Sequence, residues 1–120
     1  FLPTAATVCG SYALMVSPVA GLMLFMMFNQ WNDDFKGVSV QVIEALADKG
    51  VITIGIDTPS VDPSTSKTLE AHKCIFNRNI AIIEGLVLDK VPQGHYNLMA
   101  LPLRIKDCDA SPVRALLFAK

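Results

Sequence analysis

No charged side chain occurs before Asp33, and the segment from Tyr12 to Phe28 is almost wholly apolar. A membrane-spanning helix needs about 20 apolar residues, whereas this segment is shorter and contains Pro18. A signal peptide begins with a basic region, which this sequence lacks. A buried strand needs only about four to eight apolar residues. We therefore predict a buried strand at residues 21–28, with a membrane or partner-covered helix and a signal remnant as alternatives.

The overall charge and the cysteine content narrow the class of protein. The 120 residues include 10 basic and 11 acidic side chains, so the net charge is -1. Such a balance provides no basic surface for nucleic acid or anionic membrane, and we expect neither as a partner. The three cysteines, Cys9, Cys74 and Cys108, are far apart and form no CxxC pair. A disulfide framework is therefore not expected, and the composition indicates a reducing, cytoplasmic location.

The middle of the chain has the pattern of an α/β protein. Residues Ser39 to Lys49 predict a helix that Ser39 caps and Gly50 ends. Val51 to Ile56 is short, β-branched and apolar on both faces, which is typical of a central strand. The polar loop that begins at Asp57 lies where open α/β sheets bind ligands.

A second helix and strand follow the same order. Residues Lys67 to Arg78 predict a helix capped by Ser66, with Leu69, His72 and Phe76 along one face. Later segments predict further extended structure, namely a buried strand at residues 80–83, an extended segment at 96–105 and a final strand at 113–118.

Two side chains in this region could bind a metal ion. His72 lies on the apolar face of the predicted helix, and Glu84 closes an apolar strand twelve residues later. Imidazole and carboxylate groups that meet at one point could form half of a zinc or manganese site. The alternatives are a packed core histidine and a glutamate that pairs with a lysine or an arginine.

Other polar side chains carry weaker signals. Asp57 could orient a ligand, but the sequence Asp-Thr-Pro-Ser favours a turn-capping role. His95 follows a turn glycine and is predicted to be solvated, and salt bridging is the expectation for Arg104 and Arg114. The sequence contains no Gly-rich phosphate loop and no serine-nucleophile motif.

Several ordered segments resemble the cyclase family of metal-dependent hydrolases, and within it the kynurenine formamidase branch. The segments that carry the resemblance are Trp31–Phe35 (WNDDF), Gly55–Pro63 (GIDTPSVDP), Ser66–Lys67, Ala71–His72, Ile80–Asp89 (IAIIEGLVLD), Tyr96–Arg104 (YNLMALPLR) and Asp109–Ala115 (DASPVRA). The likeness extends over about residues 21–120, which it identifies as the C-terminal part of a single hydrolase domain. Residues 1–20 have no counterpart that we can place.

The resemblance implies an α/β fold with a mixed central β-sheet flanked by helices, the swivelling β/β/α fold of the family, truncated at its N-terminal side. It also implies a homodimer with a two-metal site of zinc or manganese, in which His72 and Glu84 are ligands. The implied reaction is the hydrolysis of N-formylkynurenine, a small formamide, to kynurenine and formate in tryptophan catabolism.

The sequence departs from the family in the metal site, because no histidine precedes His72. The family's HxxxHxD motif and its additional catalytic histidine are absent, so this chain contains no predicted catalytic residue, and its substrate-binding residues are unknown. Three protein ligands are the usual minimum for a catalytic metal, so we expect the chain alone to be inactive. The alternatives are a cyclic-amide hydrolase of the isatin type, a non-catalytic remnant that acts in oligomerisation, and a small membrane-anchored protein.

Overall fold

The computed structural model describes the backbone of residues 4–8 and 12–17, and both backbone and side chains of residues 33–119. The strand predicted at residues 21–28 lies outside these residues, as do Cys9 and Trp31. Within the described part of the chain, neither helix is long and apolar enough to cross a membrane.

The described strands form one mixed sheet of six strands flanked by helices, which confirms the predicted fold class. The strands are β1 (Thr4–Val8), β2 (Tyr12–Ser17), β3 (Val51–Ile56), β4 (Ala81–Ile83), β5 (His95–Ala100) and β6 (Ala115–Ala119). Their order across the sheet is β4-β3-β2-β1-β5-β6. The pairs β1–β2 and β5–β6 are antiparallel, and the other three pairs are parallel.

The first two strands lie at the centre of this sheet, although no structure could be predicted for residues 1–20. Strand β2 pairs with β3 in parallel, and Leu14 lies opposite Ile54. Because Tyr12–Ser17 is a strand, the alternative of a single helix over residues 12–28 is wrong for its first third. The apolar character of this segment agrees with a strand that has a neighbour on each side.

Helix α1 (Val40–Asp48) forms where the sequence predicts it. The Ser39 hydroxyl accepts a hydrogen bond from the backbone N–H of Val42 at 3.4 Å, so Ser39 is the N-cap. Gly50 follows the last turn with φ of 80°, a conformation that glycine adopts without steric cost. Ile43 is the fully buried residue of this helix and packs into the core.

Helix α2 (Glu70–Asn77) begins three residues later than predicted. The Ser66 hydroxyl accepts from the N–H of Leu69 at 3.1 Å, and it therefore closes a turn rather than the helix end. Leu69 has φ of 52° and stands outside the helix, so it cannot share a helical face with His72 and Phe76. The predicted apolar face is therefore wrong. Neither end of it is buried, because Leu69 is 49% exposed and Phe76 is 83% exposed.

The face of α2 that is buried instead carries Ala71, Cys74 and Ile75. These three side chains form the main core together with Ile43 of α1 and residues of β3. Ion pairs from Arg78 at the end of α2 to Glu44 and Asp48 of α1 join the two helices at the surface. Helix α2 is thereby held against both the sheet and α1.

The remaining strands differ from the prediction in their ends and burial. Strand β4 is half-buried rather than buried, because it is an outermost strand of the sheet. Strand β5 ends at Ala100, and the chain from residue 101 to residue 114 contains no helix or strand. Leu86 and Leu88 form a second, smaller core beneath the inner faces of β5 and β6.

Candidate metal site

Two loops meet at the carboxyl ends of neighbouring parallel strands. Strands β3 and β4 run side by side, and the chain between them passes through α2. Beyond the strand ends, the N–H of Gly85 donates to the carbonyl of Thr58 at 2.9 Å, and the N–H of Leu86 donates to that of Ile56 at 3.0 Å. This edge of an open sheet is the usual place for ligand binding, and both predicted metal ligands lie here.

The imidazole of His72 extends from the first turn of α2 and is 36% exposed. Its Nδ1 atom lies 2.7 Å from the Oδ2 atom of Asp62, a hydrogen-bond distance. A carboxylate can only accept, so this contact places the ring proton on Nδ1. The other ring nitrogen, Nε2, faces away from Asp62 and lies on the side of Glu84.

Asp62 also caps the helix that carries His72. Its two carboxylate oxygens accept hydrogen bonds from the backbone N–H groups of Ala71 at 2.9 Å and His72 at 3.0 Å. Helix α2 has no other side-chain cap, since its N-cap residue is Leu69. Burial alone would raise the pKa of the Asp62 carboxyl. The hydrogen bonds from the His72 side chain and from the two backbone N–H groups outweigh it and lower that pKa below its ordinary value.

Glu84 follows β4 directly and turns towards His72. Its Oε1 atom accepts a hydrogen bond from the N–H of Val61 at 2.9 Å and lies 3.6 Å from the Nε2 atom of His72. This second distance is longer than a hydrogen bond. It is close to the separation of about 3.4 Å expected for two ligands that are each about 2.1 Å from one tetrahedral ion. The distance between the nitrogen and oxygen donors is therefore compatible with a shared zinc-type ion.

The structure separates the other candidates from this pair. His95 is exposed at the start of β5, as predicted. Asp57 is buried at the end of β3, where the hydroxyls of Thr58 and Ser60 hydrogen-bond within the turn that follows. Among the residues that the structure describes, no group of three or more histidine, cysteine or acidic side chains could hold a metal ion.

A cleft of about 850 Å³ opens beside the pair. Its described lining includes His72, Glu84 and the exposed ring of Phe76. Residues of β5 and of the segment after it, among them Leu98 and Val113, also line it. Most of this lining is apolar, as in many small-molecule sites.

Asp62 and Val61 contact the two predicted ligands, and the sequence did not single out either residue. Both stand in a segment rich in Pro, Ser and Thr, where an aspartate ordinarily caps a local turn. Helix α2 lacks a capping side chain next to its first residue, and this absence could have pointed to Asp62. It becomes visible only once the helix is known to begin at Glu70.

The sequence of this chain is similar to curated proteins of known name. Over 87 residues, 72% of the chain, the sequence is 58% identical to a kynurenine formamidase of Bordetella avium and 52% identical to one of Bordetella petrii. The chain is a homologue of the kynurenine formamidases. It spans less than half of these relatives, with 42% of each covered.

Solved structures are also similar to this chain. A structure described as a potential metal-dependent hydrolase with cyclase activity has a TM-score of 0.68 and 36% sequence identity, over 75% of this chain and 44% of that one. A predicted metal-dependent hydrolase from Bacillus stearothermophilus also has a TM-score of 0.68. Its 23% identity over 96% of this chain and 63% of that one supports the fold alone. No family model matches the sequence.

Proposed function

We propose that this chain contributes His72 and Glu84 as metal ligands to a hydrolase that converts N-formylkynurenine to kynurenine and formate. The observation that carries the proposal is the convergence of the two side chains at the ends of β3 and β4, with Nε2 and Oε1 3.6 Å apart. The named activity of the relatives supports the substrate.

The two ligands hold the ion and do not transfer protons. His72 presents the Nε2 lone pair because its Nδ1 proton is engaged by Asp62. Glu84 adds a negative charge that offsets part of the charge of a divalent cation. A zinc or manganese ion bound here would supply Lewis-acid chemistry that polarises an amide carbonyl and acidifies water. Since three protein ligands are usual in a catalytic site, the whole enzyme needs at least one more.

The cleft supports a substrate with an apolar, aromatic body. Apolar side chains, including Leu98, Val113 and Phe76, line the same cleft as the two ligands. A formamide on an aromatic ring would place its polar carbonyl at the ligands and its ring against these apolar side chains.

We further propose that the protein is a cytoplasmic homodimer and that residues 21–120 are the C-terminal part of one hydrolase domain. Cys74 and Cys108 are free thiols, which supports a reducing compartment. The coverage of 42% of each curated relative supports a partial domain.

Zinc titration of the purified chain tests the metal site, with His72→Ala as the variant and His95→Ala as its matched control. We expect wild type and His95→Ala to bind zinc with equal affinity. The zinc affinity of His72→Ala is expected to fall further. Removal of an outer-shell partner lowers metal affinity about 10–100-fold, and removal of a ligand itself should lower it more. Equal binding by wild type and His72→Ala, or no binding by wild type, would overturn the metal site.

Formate release from N-formylkynurenine tests the substrate with the same three proteins. The chain supplies two ligands, so it is expected to release little or no formate alone, and any release is expected to require added zinc and His72 and to be independent of His95. Release that persists in His72→Ala would contradict the proposed reaction.

A further inference from the structure

The carboxylate of Asp62 accepts three hydrogen bonds, all of them from two consecutive residues. Asp62 is 4% exposed. Its carboxylate accepts hydrogen bonds from the backbone N–H groups of Ala71 and His72 and from Nδ1 of the His72 ring. The two backbone bonds would suffice to cap α2. The ring contact is additional, and at 2.7 Å it is the shortest of the three.

The ring contact determines which nitrogen of His72 is exposed to a ligand. A neutral imidazole has one N–H donor and one acceptor nitrogen, and the partner of one nitrogen decides the state of the other. The Asp62 carboxylate already accepts two backbone N–H groups and lies 2.7 Å from Nδ1, so this geometry makes Nδ1 the donor of the ring contact. Nε2 is consequently the acceptor, and it is the nitrogen that faces Glu84.

The residue before Asp62 holds the second ligand. Val61 is fully buried, and its N–H donates to Oε1 of Glu84 at 2.9 Å. Its carbonyl accepts from the N–H of Val38 at 2.7 Å, which ties this part of the loop to the segment before α1. Two consecutive residues of one anchored loop thus contact both His72 and Glu84.

We propose that Asp62 is a positioning residue that fixes the ring orientation and the tautomer of His72, so that the Nε2 lone pair points to Glu84. The inference rests on the proposed function for the metal that uses this lone pair. The orientation of the ring itself can be measured without metal. A histidine ligand with a carboxylate on its second nitrogen binds metal more strongly than one without, because the orientation and basicity of the ring are already set.

The rival role for Asp62 is that of a helix cap alone. Both roles predict that loss of Asp62 destabilises α2, so a stability measurement does not separate them. Only the positioning role predicts a change in the protonated nitrogen of His72. Asp62→Asn is the informative variant, because it keeps the shape and one acceptor oxygen but replaces the other oxygen with an NH₂ donor.

The test is ¹⁵N NMR of the metal-free, histidine-labelled chain, recorded over a pH series, which reports the protonated nitrogen of each ring. The chain has two histidines, so exposed His95 serves as an internal reference. We expect His72 to carry its proton on Nδ1 in wild type and to lose this preference in Asp62→Asn. Ser66→Ala, which removes a hydroxyl from the turn into α2 without touching the ring, is expected to keep the wild-type tautomer.

Wild type alone can overturn the proposal even if Asp62→Asn fails to fold. A His72 ring protonated on Nε2, or one that matches His95, would overturn the proposal. Persistence of the Nδ1–H form in a folded Asp62→Asn variant would also overturn it and would leave Asp62 as a cap.

Zinc titration of the same proteins separates the two proposals. Asp62→Asn is expected to bind zinc about 10–100-fold more weakly than wild type, and Ser66→Ala as tightly. If wild type has the Nδ1–H tautomer but binds no zinc, the metal site fails while the orientation of His72 by Asp62 is supported. If zinc binds equally to wild type and Asp62→Asn, the positioning role is overturned while the metal site stands.

Discussion

At the scale of single residues, Glu84 has two separable roles. Its Oε1 atom accepts the Val61 N–H and lies 3.6 Å from His72, so one oxygen serves both the loop and the proposed ion. The side chain is about one-third exposed, which allows water to replace part of any contact that is lost. Substitutions that keep or remove the oxygen therefore distinguish the loop contact from the ligand role.

We predict that Glu84→Gln and Glu84→Ala both weaken zinc binding, because each removes the negative charge. Only Glu84→Ala also removes the acceptor for Val61, and it should lower the free energy of unfolding by about 1 kcal/mol more than Glu84→Gln. Zinc titration and urea unfolding measure the two effects. If Glu84→Gln binds zinc as tightly as wild type, the negative charge of Glu84 does not contribute to zinc binding.

The sequence predicted two of the three side chains that form this cluster. A family resemblance placed His72 and Glu84, whereas their spacing alone is equally compatible with a packed core histidine and a salt-bridged glutamate. Asp62 was missed because its partners lie nine and ten residues later, across a loop of irregular structure. No periodic pattern carries such a contact, since it depends on where the loop folds back.

At the scale of elements, the position of the Val61–Asp62 loop depends on Gly37. A Cβ atom at Gly37 would lie 2.5 Å from the carbonyl oxygen of Val61 and 2.9 Å from Pro63. Both neighbours are backbone or ring atoms, which cannot rotate away. Any side chain at residue 37 must therefore displace the loop that contacts His72 and Glu84.

We predict that Gly37→Ala destabilises the chain by about 1–3 kcal/mol, the usual cost of overpacking, and weakens zinc binding. Gly94→Ala is the matched control, because its Cβ would come no closer than 3.4 Å to Tyr96. Urea unfolding and zinc titration of both variants measure the effects. Equal unfolding free energies and equal zinc affinities in the two variants would show that the loop accommodates a side chain at residue 37.

Local patterns predicted the elements better than their ends. Helix α1 has both a capping serine and a terminal glycine, and its limits agree with the prediction. Helix α2 is capped by Asp62, which lies eight residues before Glu70, the first residue of the helix. Ser66 is nearer in sequence, and it therefore led to a predicted helix start that is too early. A cap supplied from a distant loop leaves no mark in the adjacent sequence.

At the scale of the whole molecule, the class of the fold was predictable and the order of its strands was not. The alternation of helix and strand from residue 39 to residue 83 indicates parallel pairing, and β3 and β4 pair in this way. The insertion of β1 and β2 between β3 and β5 joins segments far apart in sequence. Such pairings depend on the complete sheet, which no local pattern encodes.

The outer face of β5 and β6 leads to a prediction about association. Met99 and Leu116 are paired across these strands, and Phe118 continues the same face, with all three side chains more than 40% exposed. Strand β6 is also an outermost strand of the described sheet, with one side left unpaired. Contiguous apolar surface beside an open strand edge favours contact with another copy.

We predict that the purified chain self-associates as its concentration rises, and that Met99→Lys shifts it towards the 13.0 kDa monomer. A lysine there places a charge on the apolar face, and burying that charge in a contact would be costly. Val42→Lys on α1 is the matched control, because Val42 and Met99 are both 46% exposed. Light scattering across a concentration series measures the mass. If wild type is monomeric throughout, or if both lysine variants dissociate equally, this face does not drive association.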